Sequence, residues 1–222
     1  MKIEIKSIKK KFKSKQVLNG ISFSAESGKC IGILGANGCG KSTLLSILAG
    51  VQPADSGEFL YDGNNLFKYS RQRSVLIGYV PQGTPLIEEL SAKDNLLLWY
   101  SKKDMKKELE SGVLRMLGIN EFLKVPVSKM SGGMKKRLSI GCAVYNHPPI
   151  LLLDEPMAAL DLACKQSISE YIEKHKKDGG IIMLATHDVL ELRLCDEWYI
   201  IKDGNLTPFD YTGDIEKLVE SL

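Results

Sequence analysis

The stretch Cys30-Ile31-Gly32-Ile33-Leu34-Gly35-Ala36-Asn37-Gly38-Cys39-Gly40-Lys41-Ser42-Thr43 decides the fold. A short apolar run of strand length leads into a glycine-rich turn. Leu44, Leu45, Ile47 and Leu48 then recur at helical spacing within Lys41 to Ala49. Strand, glycine loop and helix in that order form the context in which the pattern G-x-x-x-x-G-K-[ST] carries meaning. Glycines let successive backbone N–H groups turn toward one anion, and the helix start adds the positive end of its dipole. Lys41 meets the outer phosphates, and Ser42 can ligate magnesium. Gly35, Ala36, Asn37, Gly38, Cys39, Gly40, Lys41, Ser42 and Thr43 are therefore expected to hold a nucleoside triphosphate. Cys39 occupies a free position of the loop and reads as a small filler rather than a redox switch.

Working outward, apolar runs return at Ile150 to Leu153 and Ile181 to Ala185, with a polar helical stretch from Leu162 to Lys177 between them. Buried strands alternating with helices imply a parallel α/β sheet. Upstream, alternation in Lys2 to Ile8 and Ile21 to Ala25 reads as half-buried strands of a small antiparallel sheet. Gly57 to Tyr61 and Val75 to Val80 are expected as further strands, with a turn at Tyr61 to Asn64. From Leu90 to about Lys124 the pattern is helical and lysine-rich, and with the helix that follows it marks a subdomain at about residues 90–146. Within it, Leu96 to Tyr100 is expected to be the buried face rather than a docking patch. Glu197 to Ile201 and Asn205 to Thr207 pair around Asp203-Gly204, and a short helix is expected from Asp214 to about Glu220. The whole, residues 1–222, reads as one α/β domain: a parallel core sheet, an N-terminal antiparallel β subdomain and a small helical subdomain.

Composition narrows the function. With 44% hydrophobic and 26% charged residues over 222 positions, the chain can fill a core and is not disordered. No apolar run approaches the roughly 18 residues needed to cross a bilayer, and Met1 to Lys6 lacks a secretory signal, so a cytoplasmic location is expected. Five cysteines, none in a C-x-x-C pair, suggest neither a disulfide framework nor a zinc site. The net charge of +3 is concentrated in residues 1–15, which hold seven lysines. A near-neutral remainder argues against nucleic acid as partner. The lysine run reads as a solvated strand, the alternative being contact with anionic lipid or a partner.

Two further motifs carry chemistry. Asp154 and Glu155 end the Ile150 strand, placing two carboxylates at the edge of the sheet where α/β proteins hold ligands. Beside a phosphate loop, Asp154 suits magnesium and Glu155 suits the attacking water as general base. Ser131-Gly132-Gly133 opens another helix, either as a plain N-cap or as a second anion site.

These motifs, in this order, resemble the ATP-binding subunit of ABC transporters over nearly the whole chain. The resemblance implies a P-loop NTPase core with ATP and Mg2+ as cofactors. It makes Gly35 to Thr43 a Walker A loop, and Ile150 to Glu155 a Walker B strand. Gln82 becomes the glutamine that contacts magnesium and relays to the membrane subunit, with Ser42 and Asp154 as the other metal-site residues. Ser131, Gly132 and Gly133 become the signature that binds the ATP of a second, head-to-tail subunit, and Ala159-Leu160-Asp161 the loop crossing that interface. His187, in Ala185-Thr186-His187-Asp188, becomes the switch histidine that reads the γ-phosphate, sharing catalysis with Glu155, and Phe12 the aromatic that stacks on adenine, the alternative for Phe12 being the core. The signature departs from the usual form at Met130 and Met134, and Met134-Lys135-Lys136-Arg137-Leu138 resembles forms frequent among exporters.

The implied function is ATP hydrolysis that powers export through transmembrane permease subunits on separate chains, by a homodimer or heterodimer lying on the inner face of the cell membrane. A chromosome-maintenance ATPase would need a long coiled coil where only 48 residues separate Gln82 from Ser131. The remaining alternative is a soluble ABC-type ATPase acting on the ribosome, although such proteins normally carry two ATP-binding domains.

Overall fold

The computed structural model describes residues 1–213 together with Glu216, Leu218 and Glu220. Strands β1 (Lys2–Phe12) and β2 (Lys15–Glu26) form an antiparallel hairpin, with Ile3 opposite Ala25 and Ile5 opposite Phe23. Simple alternation would turn Ile8 outward after Ile5. A register shift between Ile5 and Ile8, with Ser7 at a φ of 51°, keeps Ile8 inside. Most of the lysines alternate into solvent, but Lys10 is buried and its ammonium lies 3.1 Å from Asp55.

The strand β3 (Cys30–Leu34) leads through the glycine loop into helix α1 (Lys41–Ala49). Strands β4 (Ser56–Tyr61) and β5 (Asn64–Asn65) join the first sheet, whose order is β2-β1-β4-β5. Helix α2 (Ser70–Leu76) precedes β6 (Ile77–Val80). This corrects the strand expected from Val75. The parallel partner β7 (Ile150–Asp154) starts opposite Ile77, so Val75 and Leu76 have no ladder to join and finish a helix instead.

The helical region holds α3 (Ala92–Leu97), α4 (Lys102–Ser111), α5 (Val113–Met116) and α6 (Gly132–Ala143). Gly112 and Gly118 divide what composition presents as one helical tract. Leu96 and Tyr100 are buried, as expected, but Leu98 and Trp99 are 57% and 53% exposed. Helix α3 ends at Leu97, and Leu98 and Trp99 lie in the turn that follows it.

Helix α7 (Leu162–Lys177), strand β8 (Ile181–Ala185), helix α8 (Val189–Leu192) and the antiparallel pair β9 (Glu197–Lys202) and β10 (Asn205–Phe209) follow. The helix expected from Asp214 falls mostly outside the described residues. The second sheet runs β10-β9-β3-β8-β7-β6 and is parallel except at β10. Its central strands are buried on both faces. Ile150, Leu152, Ile181 and Met183 pack with α1 and the antiparallel sheet, while Leu151, Leu153, Ile182 and Leu184 pack with α3, α5, α6 and α7. Two-sided burial is the reason these runs carry no polar alternation.

Candidate functional site

The loop from Gly35 to Thr43 depends on glycine where the chain is most crowded. Gly35 has a φ of 148°, and a Cβ there would lie 2.6 Å from the Ile201 carbonyl oxygen and 2.5 Å from the Cys39 sulfur. Gly40 has a φ of 118° and backs onto Leu18 and Val17 of β2. Gly40 also stands at the N-cap of α1, so no side chain covers the first-turn N–H groups. Those donors and the dipole suit an anion. Lys41 is buried, and its ammonium donates to the Gly35 carbonyl at 2.7 Å and the Ala36 carbonyl at 3.3 Å. The charge is thus held against the backbone that would cradle phosphate.

Sheet order then assembles the polar residues. β8, β7 and β6 are neighbours, so the loops leaving their C-terminal ends meet. Asp154 ends β7, is 2% exposed, and accepts the Ser42 hydroxyl. Burial raises its carboxyl above the usual range, while Ser42 and Lys41 act the other way. Glu155 follows at a φ of 48°, an uncommon value for a side-chain-bearing residue, fixed by its N–H on the Ala185 carbonyl at 2.9 Å. Its Oε2 accepts the Gln82 amide at 2.9 Å, and its Oε1 lies 3.1 Å from His187 Nδ1. Gln82, Glu155 and His187 come from three loops and share one carboxylate.

Ser131 accepts the Met134 N–H at 3.2 Å as N-cap of α6, so the plain capping role holds in this chain. Ser131 and Gly132 are exposed, whereas Gly133 is buried against Cys164 at the start of α7, where an added Cβ would meet the sulfur at 2.4 Å. No hydrogen bond among the described residues joins Ser131, Gly132 or Gly133 to the phosphate loop. Phe12 is 44% exposed at the end of β1, with the Lys10 ammonium 5.4 Å from its ring centre, so it is not core.

Two residues escaped the sequence reading. Lys136, on α6 and 5% exposed, donates to the carbonyls of Pro81 at 3.1 Å and Gln82 at 3.0 Å. Burial draws its ammonium below the usual lysine range, opposed by Asp154, Glu191 and Glu155. Glu191 is 1% exposed and accepts the Met157 N–H at 2.7 Å, fixing the segment just after Glu155. Burial pushes its carboxyl from 4.5 up to about 7, against the pull of Thr186 and the Met157 N–H. The folded state keeps a proton that the unfolded chain loses above 4.5, so stability falls as pH rises from there to about 7. A Glu191→Gln variant keeps the acceptor and has no proton to lose. Its unfolding free energy should match wild type near pH 4.5 and exceed it by about 3 kcal/mol above pH 7. Urea titrations at both ends of that range check this, and a gap that does not change with pH would contradict it.

A cleft of about 780 Å³ runs from Ser42 and Asp154 past Gln82 to Trp99 and Tyr145, between α1 and the helical region. Among the described residues no helix is long and apolar enough to cross a membrane.

Comparison with known proteins bears on this arrangement. Residues 18–158 match the family model described as ABC transporter. The chain is 34% identical over 218 residues to the linearmycin resistance ATP-binding protein LnrL of Bacillus subtilis, covering 96% of this chain and 70% of that one. It is 36% identical over 207 residues to the Nod factor export ATP-binding protein I of Sinorhizobium fredii, covering 91% of this chain and 60% of that one. Among solved structures, a dimeric ATP-binding cassette in a post-hydrolysis state, bound to ADP and Pi, superimposes with a TM-score of 0.82 at 26% identity, covering 94% of this chain and 99% of that one.

Proposed function

Because this chain belongs to the ABC transporter family, we propose that it is the ATP-hydrolysing subunit that drives export of a substrate through transmembrane permease subunits on separate chains. The chain is an ATPase of the P-loop NTPase fold. The observation that carries the finer reading is the meeting of Gln82, Glu155 and His187 at the sheet edge beside the phosphate loop.

In this reading the backbone of Gly35 to Thr43 and Lys41 bind the phosphates of ATP. Glu155 accepts the proton of the attacking water. His187 and Gln82 hold the carboxylate in place, and His187 reads the γ-phosphate. The donor set of Ser42, Asp154 and Gln82 fits Mg2+, a hard cation that takes oxygen ligands and needs only one or two carboxylates when phosphates and water supply most of the rest. When bound, Mg2+ would neutralise charge developing on the phosphates. Ser131, Gly132 and Gly133, exposed or next to an exposed turn, would bind the ATP of a second subunit, in a homodimer or a heterodimer. Phe12 lies free to stack on adenine. Support for export comes from the signature form and from the names of the resistance and Nod factor relatives.

The permease would dock where nucleotide state alters the surface, along the cleft from Gln82 to exposed Trp99, and the chain would then lie on the inner face of the cell membrane. Glu88 is paired with Lys135 at 3.2 Å, so its reversal would also disturb α6. Glu89, exposed on the same segment, is the cleaner probe. Glu89→Lys should weaken the complex with the membrane subunit while ATP affinity stays within about fivefold, since an exposed charge pair contributes ~1 kcal/mol or less. Pull-down of the complex alongside ATP titration checks this, and lost ATP binding would place the residue in the wrong role.

A further inference from the structure

We infer that Lys136 is a positioning residue, tying the signature helix α6 to the segment Pro81-Gln82 so that the Gln82 amide stays on Glu155. The inference rests on the roles proposed above for Gln82 and Glu155. It starts from an ammonium in an unusual place. A lysine is almost never fully buried unless its donors are used. Lys136 is 5% exposed, and its donors go to the Pro81 and Gln82 carbonyls, more than fifty residues away in sequence. No carboxylate within ion-pair reach explains its burial among the described residues. The two carbonyls belong to the turn that carries Gln82, and the Gln82 amide donates to Glu155 at 2.9 Å.

The chain of contacts therefore runs from α6 through the Lys136 ammonium to the Gln82 backbone, and from the Gln82 side chain to the Glu155 carboxylate. Its far end is the N-terminus of α6, where Ser131 caps the helix about one and a half turns before Lys136. Whatever shifts α6, including a phosphate captured by Ser131 to Gly133, moves the anchor of Gln82 with it. A single lysine thus connects the surface facing a second subunit's nucleotide to the carboxylate of its own subunit. Only a long side chain with several donors at its tip can span from helix to turn and hold two carbonyls together.

Lys136→Met keeps the aliphatic stem and removes the donors. Turnover should fall about 10-fold or more, the loss corresponding to one charge-assisted hydrogen bond, while KM for ATP stays within about twofold. Lys136→Arg should recover most of the turnover. In a Gln82→Ala background, Lys136→Met should cost less than about a further twofold, because both changes interrupt one path. Circular dichroism and thermal unfolding establish that each variant is folded. A folded Lys136→Met variant with wild-type turnover overturns the inference, as does a full additive loss in the Gln82→Ala background. If Gln82→Ala alone keeps wild-type turnover, the role proposed for Gln82 fails and this inference fails with it.

Discussion

A Glu155→Gln variant should bind ATP with wild-type affinity and turn it over about 10²- to 10⁴-fold more slowly, the usual contribution of a positioned general base. The amide keeps the volume and one acceptor but cannot take a proton from water. Position matters as much as basicity. Glu155 sits at a φ of 48° with its N–H on Ala185, so the side chain is aimed by backbone that few residues adopt at low cost. Gln82 and His187 then restrict the carboxylate from two sides, at 2.9 Å and 3.1 Å. With hydrolysis blocked, an ATP-bound dimer should accumulate. Phosphate release measures the first effect and sedimentation the second. Turnover near wild type would move the catalytic role to another residue.

Lys41→Ala should weaken ATP binding by about 10- to 150-fold for each charge-assisted hydrogen bond lost to phosphate. The ammonium is buried and held by the Gly35 and Ala36 carbonyls, so it is already placed over the loop and loses little freedom on binding. Because the substitution also removes those two bonds, thermal unfolding of the variant must accompany the nucleotide titration. Unchanged ATP affinity in a folded Lys41→Ala variant would refute the phosphate-loop assignment.

Strands and helices that see one environment along their length were legible without coordinates. Cys30 to Leu34 and Ile181 to Ala185 are apolar throughout because both faces are covered, and their bounds coincide with the observed strands. Val75 misled because its side chain is β-branched and apolar, while strand formation there depends on where β7 begins, which is information from another part of the chain. Leu96 to Tyr100 misled because continuous apolarity conceals where the helix stops and which side faces out, and the turn after α3 leaves Trp99 exposed.

The site shows the same division. Gly35 to Thr43 could be read because a phosphate cradle is built from consecutive residues. Glu155 could be read beside Asp154 at the end of an apolar strand, whereas Gln82 and His187 could be named only through a resemblance, and the meeting of all three follows from the order β8-β7-β6. Lys136 and Glu191 had no local signal at all. Each bonds backbone groups distant in sequence, at Pro81 and Gln82 in one case and Met157 in the other, and backbone partners leave no trace in residue identity. Lysine within Lys135-Lys136-Arg137 looks like solvated charge until the fold buries it.

Native fractionation tests the membrane partner directly. The chain, purified in mild detergent from membranes of the cells that make it, should elute with a multi-span protein. The ATPase activity of that complex should collapse when Glu155→Gln replaces the wild-type chain. Recovery of the chain with ribosomes, and with no membrane protein in the same fractions, would contradict the transporter reading and put an ATPase of translation in its place.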